Sequence, residues 1–179
     1  DDVVDQYARD HGKADALTQR ITDAAVFVLY DDILDIGCGT GAALRDICDR
    51  YETRDPNARR LVGIDLPRMI KHARKASKGY EITYVEGTAE ALPFEDESFY
   101  IVFAINSIHH WQDQAKGLSE VARVLRPNGG LVIAGEKFGP DMLPEGQNYA
   151  DEMAAVGIPM HRSTDLEHGG FFAYGRKAS

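Results

Sequence analysis

The sequence predicts an α/β domain built on a mostly parallel sheet, and three observations carry that prediction. Short apolar runs of strand length recur at Ile33–Ile36, Leu61–Ile64, Tyr100–Ile105 and Leu131–Ala134. Between them, apolar residues repeat at helical spacing, as at Ala115, Leu118, Val121, Ala122 and Leu125. Alternation of this kind builds strand–helix–strand units and therefore parallel pairing. The third observation is size. A chain of 179 residues, 44% hydrophobic and 27% charged, has the composition of one globular domain with room for a sizeable core. The expected division is a helical segment over 1–31 and a core over 32–179, within a single domain.

Bulk chemistry narrows the function. A net charge of −9 and a pI of about 5.1 argue against a nucleic-acid backbone as the main partner, because phosphate binding wants a basic face. A small RNA contact stays open. Cys38 and Cys48 form no C-x-x-C pair, so neither a disulfide frame nor a zinc site follows, and a reducing, cytoplasmic setting fits. No His and carboxylate side chains cluster at ligand spacing, so no metal is expected. The longest apolar run, Ala24 to Tyr30, is too short to span a membrane. No basic-then-apolar leader opens the chain.

In chain order, Asp1 to Asp10 is polar, with Tyr7 its only large aromatic. Leu17, Ile21, Ala25, Val28 and Leu29 form one stripe, predicting a helix over 13–30 beside the sheet. Ile33–Ile36 is the first strand. Gly37, Gly39 and Gly41 then alternate with Cys38 and Thr40, and a helix follows to about Tyr51. Glycines in such a turn reach backbone angles that side chains forbid and let a ligand approach the main chain. The helix behind them aims its unpaired N–H groups and positive dipole end at the same place. The dinucleotide fingerprint wants G-x-G-x-x-G. Here the spacing is G-x-G-x-G, and Asp35 at the strand end would repel a pyrophosphate while suiting an ammonium or sulfonium.

Leu61–Ile64 is the second strand and ends in Asp65, 24 positions past Gly41. An acid there can accept hydrogen bonds from both hydroxyls of a ribose. Pro67 opens a helix whose Lys71, His72, Arg74, Lys75 and Lys78 read best as a solvated basic face. Glu81–Glu86 alternates as the third strand, and Tyr100–Ile105 is the fourth, ending in Asn106. Strand ends on this side of a parallel sheet face the ligand crevice. His109 and His110 follow, either of them a candidate general base, since histidine titrates near neutral pH. The bland alternative is a packing or capping histidine. Arg126–Gly130 reads as a turn, and Leu131–Ala134 as the fifth strand. A helix over 144–156 stopped by Gly157, a weak strand at Pro159–Asp165 and a last strand at Gly169–Arg176 complete the chain.

Asp35-Ile36-Gly37-Cys38-Gly39-Thr40-Gly41 resembles the first motif of the class I S-adenosylmethionine (SAM)-dependent methyltransferases. Gly87-Thr88-Ala89-Glu90-Ala91-Leu92-Pro93-Phe94 resembles the family's G-D-A-x-x-L-P-F. Glu120-Val121-Ala122-Arg123-Val124-Leu125-Arg126-Pro127-Asn128-Gly129-Gly130 resembles its E-x-x-R-V-L-K-P-G-G, with Asn128 inserted and a structural role. Ser107-x-His109-His110-Trp111 is similar to the small-molecule and lipid-quinone (ubiquinone–menaquinone) branch. The resemblance covers about residues 13–177.

It implies a Rossmann-like seven-stranded sheet in the order 3-2-1-4-5-7-6, the last strand antiparallel, with helices on both faces. It implies SAM as cofactor, S-adenosylhomocysteine (SAH) as product, and methyl transfer to an acceptor, a small molecule in the first reading. The cofactor residues it implies are Asp35, Gly37, Cys38, Gly39, Gly41, Asp65, Leu66, Met69, Thr88, Ala89, Glu90 and Asn106. Tyr7 is a candidate lid. Three departures weaken the match: Thr88 replaces an acid, Tyr100 replaces the usual Asp at the start of the fourth strand, and Asp65–Met69 is one residue shorter than the family's D-x-S-x-x-M. A nicotinamide-dependent reductase, a methyltransferase of a protein or other large acceptor, and a non-catalytic SAM-binding subunit remain rivals. Little chain follows the fifth strand to cover an acceptor, so a homodimer or a partner subunit completing that side is expected to matter.

Overall fold

The computed structural model describes residues 5–6, 12, 18–19, 32–50, 60–136, 149–166 and 170–179. The expected helix over 13–30 and Tyr7 lie outside them, except that residues 18–19 are helical. Seven strands run β1 (Ile33–Ile36), β2 (Leu61–Asp65), β3 (Thr83–Glu86), β4 (Phe99–Ile105), β5 (Leu125–Glu136), β6 (Met160–Leu166) and β7 (Gly170–Arg176). They form one sheet in the order β3-β2-β1-β4-β5-β7-β6. The first five pair in parallel, while β7 pairs antiparallel with both β5 and β6. This is the expected fold class and order.

Each central strand is apolar on both faces because helices cover both. Leu34, Ile36, Val102, Ala104, Leu131 and Ile133 join one core cluster, with Leu118 and Val121 of α3 (Gln114–Val124) and Met153 of α4 (Ala150–Ala155). Ile33, Ile101, Phe103 and Val132 join the other, with Leu44 and Ile47 of α1 (Ala42–Arg50) and Ile70 and Ala73 of α2 (Pro67–Ala76). Successive strand residues face opposite ways, so Asp35 shares the face of Ile33. That detail decides its surroundings below.

Most boundaries move by one or two residues, as strand ends do. One difference is larger. The turn expected at Arg126–Gly130 lies inside β5, where the register jumps from Phe99↔Leu125 to Ile101↔Gly130. The turn signal was physically sound, because Asn128 takes a left-handed φ of 64° and the segment bulges out of the ladder. The late helix begins, in its described part, at Ala150. Gly157, at φ 77°, ends it, and the Ile158 N–H returns to the Met153 carbonyl.

The Arg123 guanidinium explains the structural role expected of its motif. It binds Glu120 on its own helix, the Leu92 and Phe94 carbonyls at 2.9 and 2.7 Å, and Asp96 at 2.8 Å. It thereby ties the loop after β3 to α3 and fixes one wall of the crevice.

Candidate active site

The ends of β1, β2 and β4 and the loops after β3 and β4 enclose a cavity of about 460 Å³, a size suited to a nucleoside-type ligand. Three strand ends meet there because parallel strands all stop on the same side. Gly37, Gly39, Asp65, Leu66, Met69, Thr88, Ala89, Glu90, Asn106 and His110 line it, all of them expected from the sequence. Ile36, Ile64, Gly87, Ser107, Trp111 and Gln112 line it as well. The signal for these was the strand-end rule itself, applied one residue either side of each motif.

The glycine loop is held from below. The Gly37 and Cys38 N–H groups donate to the Ile64 carbonyl at 2.8 and 3.2 Å. Gly37, Gly39 and Gly41 all have positive φ, at 72°, 55° and 75°, where a side chain would be strained. A Cβ on Gly37 would overlap Ser107, and one on Gly41 would overlap the Tyr84 hydroxyl. Ser107 donates its hydroxyl to the Ile36 carbonyl at 2.6 Å. Asn106, at φ 50°, bonds through its N–H to the Ala134 carbonyl, a strained turn at the fourth strand's end.

Asp65 is the charged centre of the cavity. Its Oδ2 accepts the Gly39 N–H at 2.8 Å and its Oδ1 accepts the Leu66 N–H at 2.6 Å. Each oxygen keeps a further lone pair free for a ligand. Burial pushes its pKa up, while the two N–H groups and the charge of His110 pull it back. Leu66, 57% exposed, and Met69 flank it with apolar surface.

Three expected cofactor residues line none of the cavity. Asp35 is 2% exposed and faces α1 and α2, beside Gly63 of β2 and Phe103 of β4. Burial, and secondarily the charge of Asp65, raises its pKa to about 7. Its Oδ1 has no hydrogen-bond partner. Cys38 turns toward Gly63, where a Cβ would stand 2.7 Å from its sulfur. Burial, then the charges of Asp35 and Asp65, raises this thiol. Gly41 starts the helix and faces Tyr84. Strand alternation carried the signal for Asp35, since Leu34 and Ile36 already occupy the other face.

A buried polar network behind the loop went unread in the sequence. Arg45 donates to the Thr40 carbonyl, to Ser77 Oγ at 3.1 Å and to the Gly12 carbonyl at 2.7 Å. Ser77 and Tyr84 share a 2.7 Å hydroxyl bond. Burial raises the Tyr84 phenol to about 12, keeping it neutral. Only folding brings Ser77 and Tyr84 to Arg45.

The two histidines separate in position. Their rings lie 4.0 Å apart, tilted by 48°, but only His110 reaches the cavity wall. His109 has its pKa lowered by burial and by His110. Among the described residues no group of three or more His, Cys, Asp or Glu side chains gathers as for a metal, and no described helix is long and apolar enough to cross a membrane.

The sheet order and the cavity define a nucleotide-binding α/β fold of the methyltransferase type. Residues 34–133 match the family described as "Methyltransferase domain", and the chain belongs to that family, the class I SAM-dependent methyltransferases. It is similar to phthiotriol/phenolphthiotriol dimycocerosates methyltransferase 1 of Mycobacterium ulcerans, at 32% identity over 75% of this chain and 46% of the relative. It is 39% identical to demethylmenaquinone methyltransferase of Chlorobaculum tepidum over 56% of this chain and 39% of the relative. It thus spans less than half the length of these curated relatives. Among solved structures it superposes, at TM-score 0.75 and 18% identity, on a chain of the complex between the Haloferax volcanii Trm112 methyltransferase activator and a methyltransferase. That match covers 99% of this chain and 98% of the other, and it is a likeness of fold.

The residues present fit the family's cofactor, SAM. A twice-bonded carboxylate at the end of β2 suits a ribose, apolar Leu66, Met69 and Ala89 suit an adenine, and bare glycine backbone admits a close approach.

Proposed function

We propose that this chain transfers a methyl group from SAM to a small-molecule acceptor. The observation that carries the proposal is Asp65, held at the cavity wall by the Gly39 and Leu66 N–H groups. In this reading Asp65 receives the ribose hydroxyls, Leu66, Met69 and Ala89 flank the adenine, and Thr88 supplies a hydroxyl in place of the family's acid. Gly37 and Gly39 give backbone access to the amino-acid portion, and Asn106 bounds the acceptor side. Asp35, Cys38 and Gly41 act from behind the loop.

SAM supplies an activated methyl on a sulfonium. The protein's task is then chiefly orientation, which accounts for roughly 7–11 kcal/mol in well-aligned reactants. His110 is the candidate base where the acceptor must lose a proton, worth on the order of 10²–10⁴-fold. His109 supports its ring from behind. The two curated relatives, by name, methylate phthiotriol-type and demethylmenaquinone acceptors, which favours an apolar small acceptor here. Cys38 and Cys48, which are not joined in a disulfide, fit a reducing cytoplasmic setting. A partner subunit covering the acceptor side is the second reading, favoured by the activator-bound fold neighbour.

Calorimetry with SAM and SAH tests the proposal. Asp65→Ala should raise both dissociation constants by about 10–100-fold, the effect of losing charged hydrogen bonds. If the unaltered protein binds neither ligand, the proposal fails. If it binds reduced nicotinamide instead, the reductase reading takes its place.

A further inference from the structure

Glu90 lines the cavity, yet its carboxylate is committed to the protein. Oε1 accepts the Gln112 N–H at 2.7 Å and the Asp113 N–H at 3.2 Å. Burial would raise this carboxyl, but its own N–H, those two amides and the Thr88 hydroxyl hold it below the ordinary range. Asp113 in turn caps α3 by accepting the Lys116 N–H at 2.9 Å. One side chain therefore joins the loop after β3, which carries Thr88 and Ala89, to the segment after β4, which carries His110 and Trp111.

Packing makes the same connection. The Trp111 ring lies on Gly117, where a Cβ would stand 2.5 Å from Cε3, and the Ala89 methyl closes on the same glycine. Trp111 Nε1 is buried without a partner. Nothing polar anchors the indole, so its place is set by this packing and by the backbone that Glu90 holds.

We propose that Glu90 is a positioning residue that couples cofactor binding to the acceptor wall. This rests on the SAM reading above. A ligand seated against Thr88 and Ala89 bears on the loop after β3. The carboxylate passes any shift to the Gln112 and Asp113 amides and so to Trp111 and His110. Coupling of binding energies is reciprocal, so an acceptor seated against Trp111 tightens the cofactor site to the same degree.

Trp111 is the chain's one tryptophan, so its emission reports on this wall alone. The experiment titrates SAH into the unaltered protein and into Glu90→Ala, which removes the acceptor of the Gln112 and Asp113 N–H groups, reading heat and emission side by side. The unaltered protein should change its emission in step with binding. At saturating SAH, Glu90→Ala should lose most of the emission change. Full retention of the change in Glu90→Ala overturns the inference, as does binding by the unaltered protein without any change. A loss of affinity beyond about tenfold overturns it too, because Glu90 is then an ordinary cofactor ligand. Absence of heat with the unaltered protein overturns the cofactor reading and this inference with it. Should Glu90→Ala not fold, Glu90→Asp, which withdraws the carboxylate by one methylene, is read in the same way.

Discussion

Around the ends of β1, β2 and β4, three successive loop glycines hold positive φ, Asn106 sits at φ 50°, and two buried polar atoms, Asp35 Oδ1 and Trp111 Nε1, lack partners. Across β5, β7 and β6 the chain is built otherwise. Gly130, Gly135 and Gly175 keep ordinary φ and serve packing, making room for Tyr174, Phe171 and Met153. Positive φ there falls on the exposed turn residues Asn128 and Gly157 and on buried Tyr149, which precedes α4. The outermost strand, β6, shows His161, Arg162 and Ser163 to solvent, as edge strands do to discourage pairing. Both unpartnered atoms among the described residues thus lie at or beside the cavity. Unmet polarity gathers where a ligand is expected, and the antiparallel half closes the sheet. This is the pattern expected when binding geometry is kept at some expense in stability.

Asp35 gives the first test of that contrast. Its folded pKa of about 7 lies above the ordinary 3.8. The folded protein therefore takes up a proton more readily than the unfolded chain, so this contribution to stability is present at low pH and is lost as pH rises from about 4 to about 7. An asparagine does not titrate. Asp35→Asn should be more stable than the unaltered protein at pH 8 by at most about 4 kcal/mol, with the gap closing near pH 4. Denaturant unfolding at the two pH values measures it. A gap that ignores pH would mean that Asp35 is not a destabilising buried carboxylate.

Gly41→Ala comes next. It combines a forbidden φ with overlap on the Tyr84 hydroxyl, together about 2–5 kcal/mol. It should lower the melting temperature and weaken SAH binding. In the other half, Gly175→Ala overlaps the end of the Met153 side chain and should cost about 1–3 kcal/mol. Its SAH affinity should stay within about twofold, since no β5, β6 or β7 residue lines the cavity. A large change in affinity there would show that the two halves are not energetically separate.

Much of the cofactor end was legible because its chemistry is local. The glycine loop and the acid at the end of β2 each declare themselves within a few residues. Asp35 turns to the other side of the sheet because a strand end has two faces, and Leu34 and Ile36 hold the opposite one. Arg45 and Ser77 were illegible for a different reason. Each is ordinary in its own stretch, and their bond joins positions 32 residues apart. The sequence does not show which donors the Glu90 carboxylate meets. Its partners, Gln112 and Asp113, lie on another loop.

By itself the sequence determined the alternation of strands and helices, the parallel core and the residues at the strand ends, because periodicity and backbone freedom act over neighbouring positions. The tertiary structure alone decided which way each side chain turned, that Asp35 lost its water and found no partner on Oδ1, and that Glu90 joined two loops. Desolvation and hydrogen bonding between distant segments exist only once the chain has closed on itself.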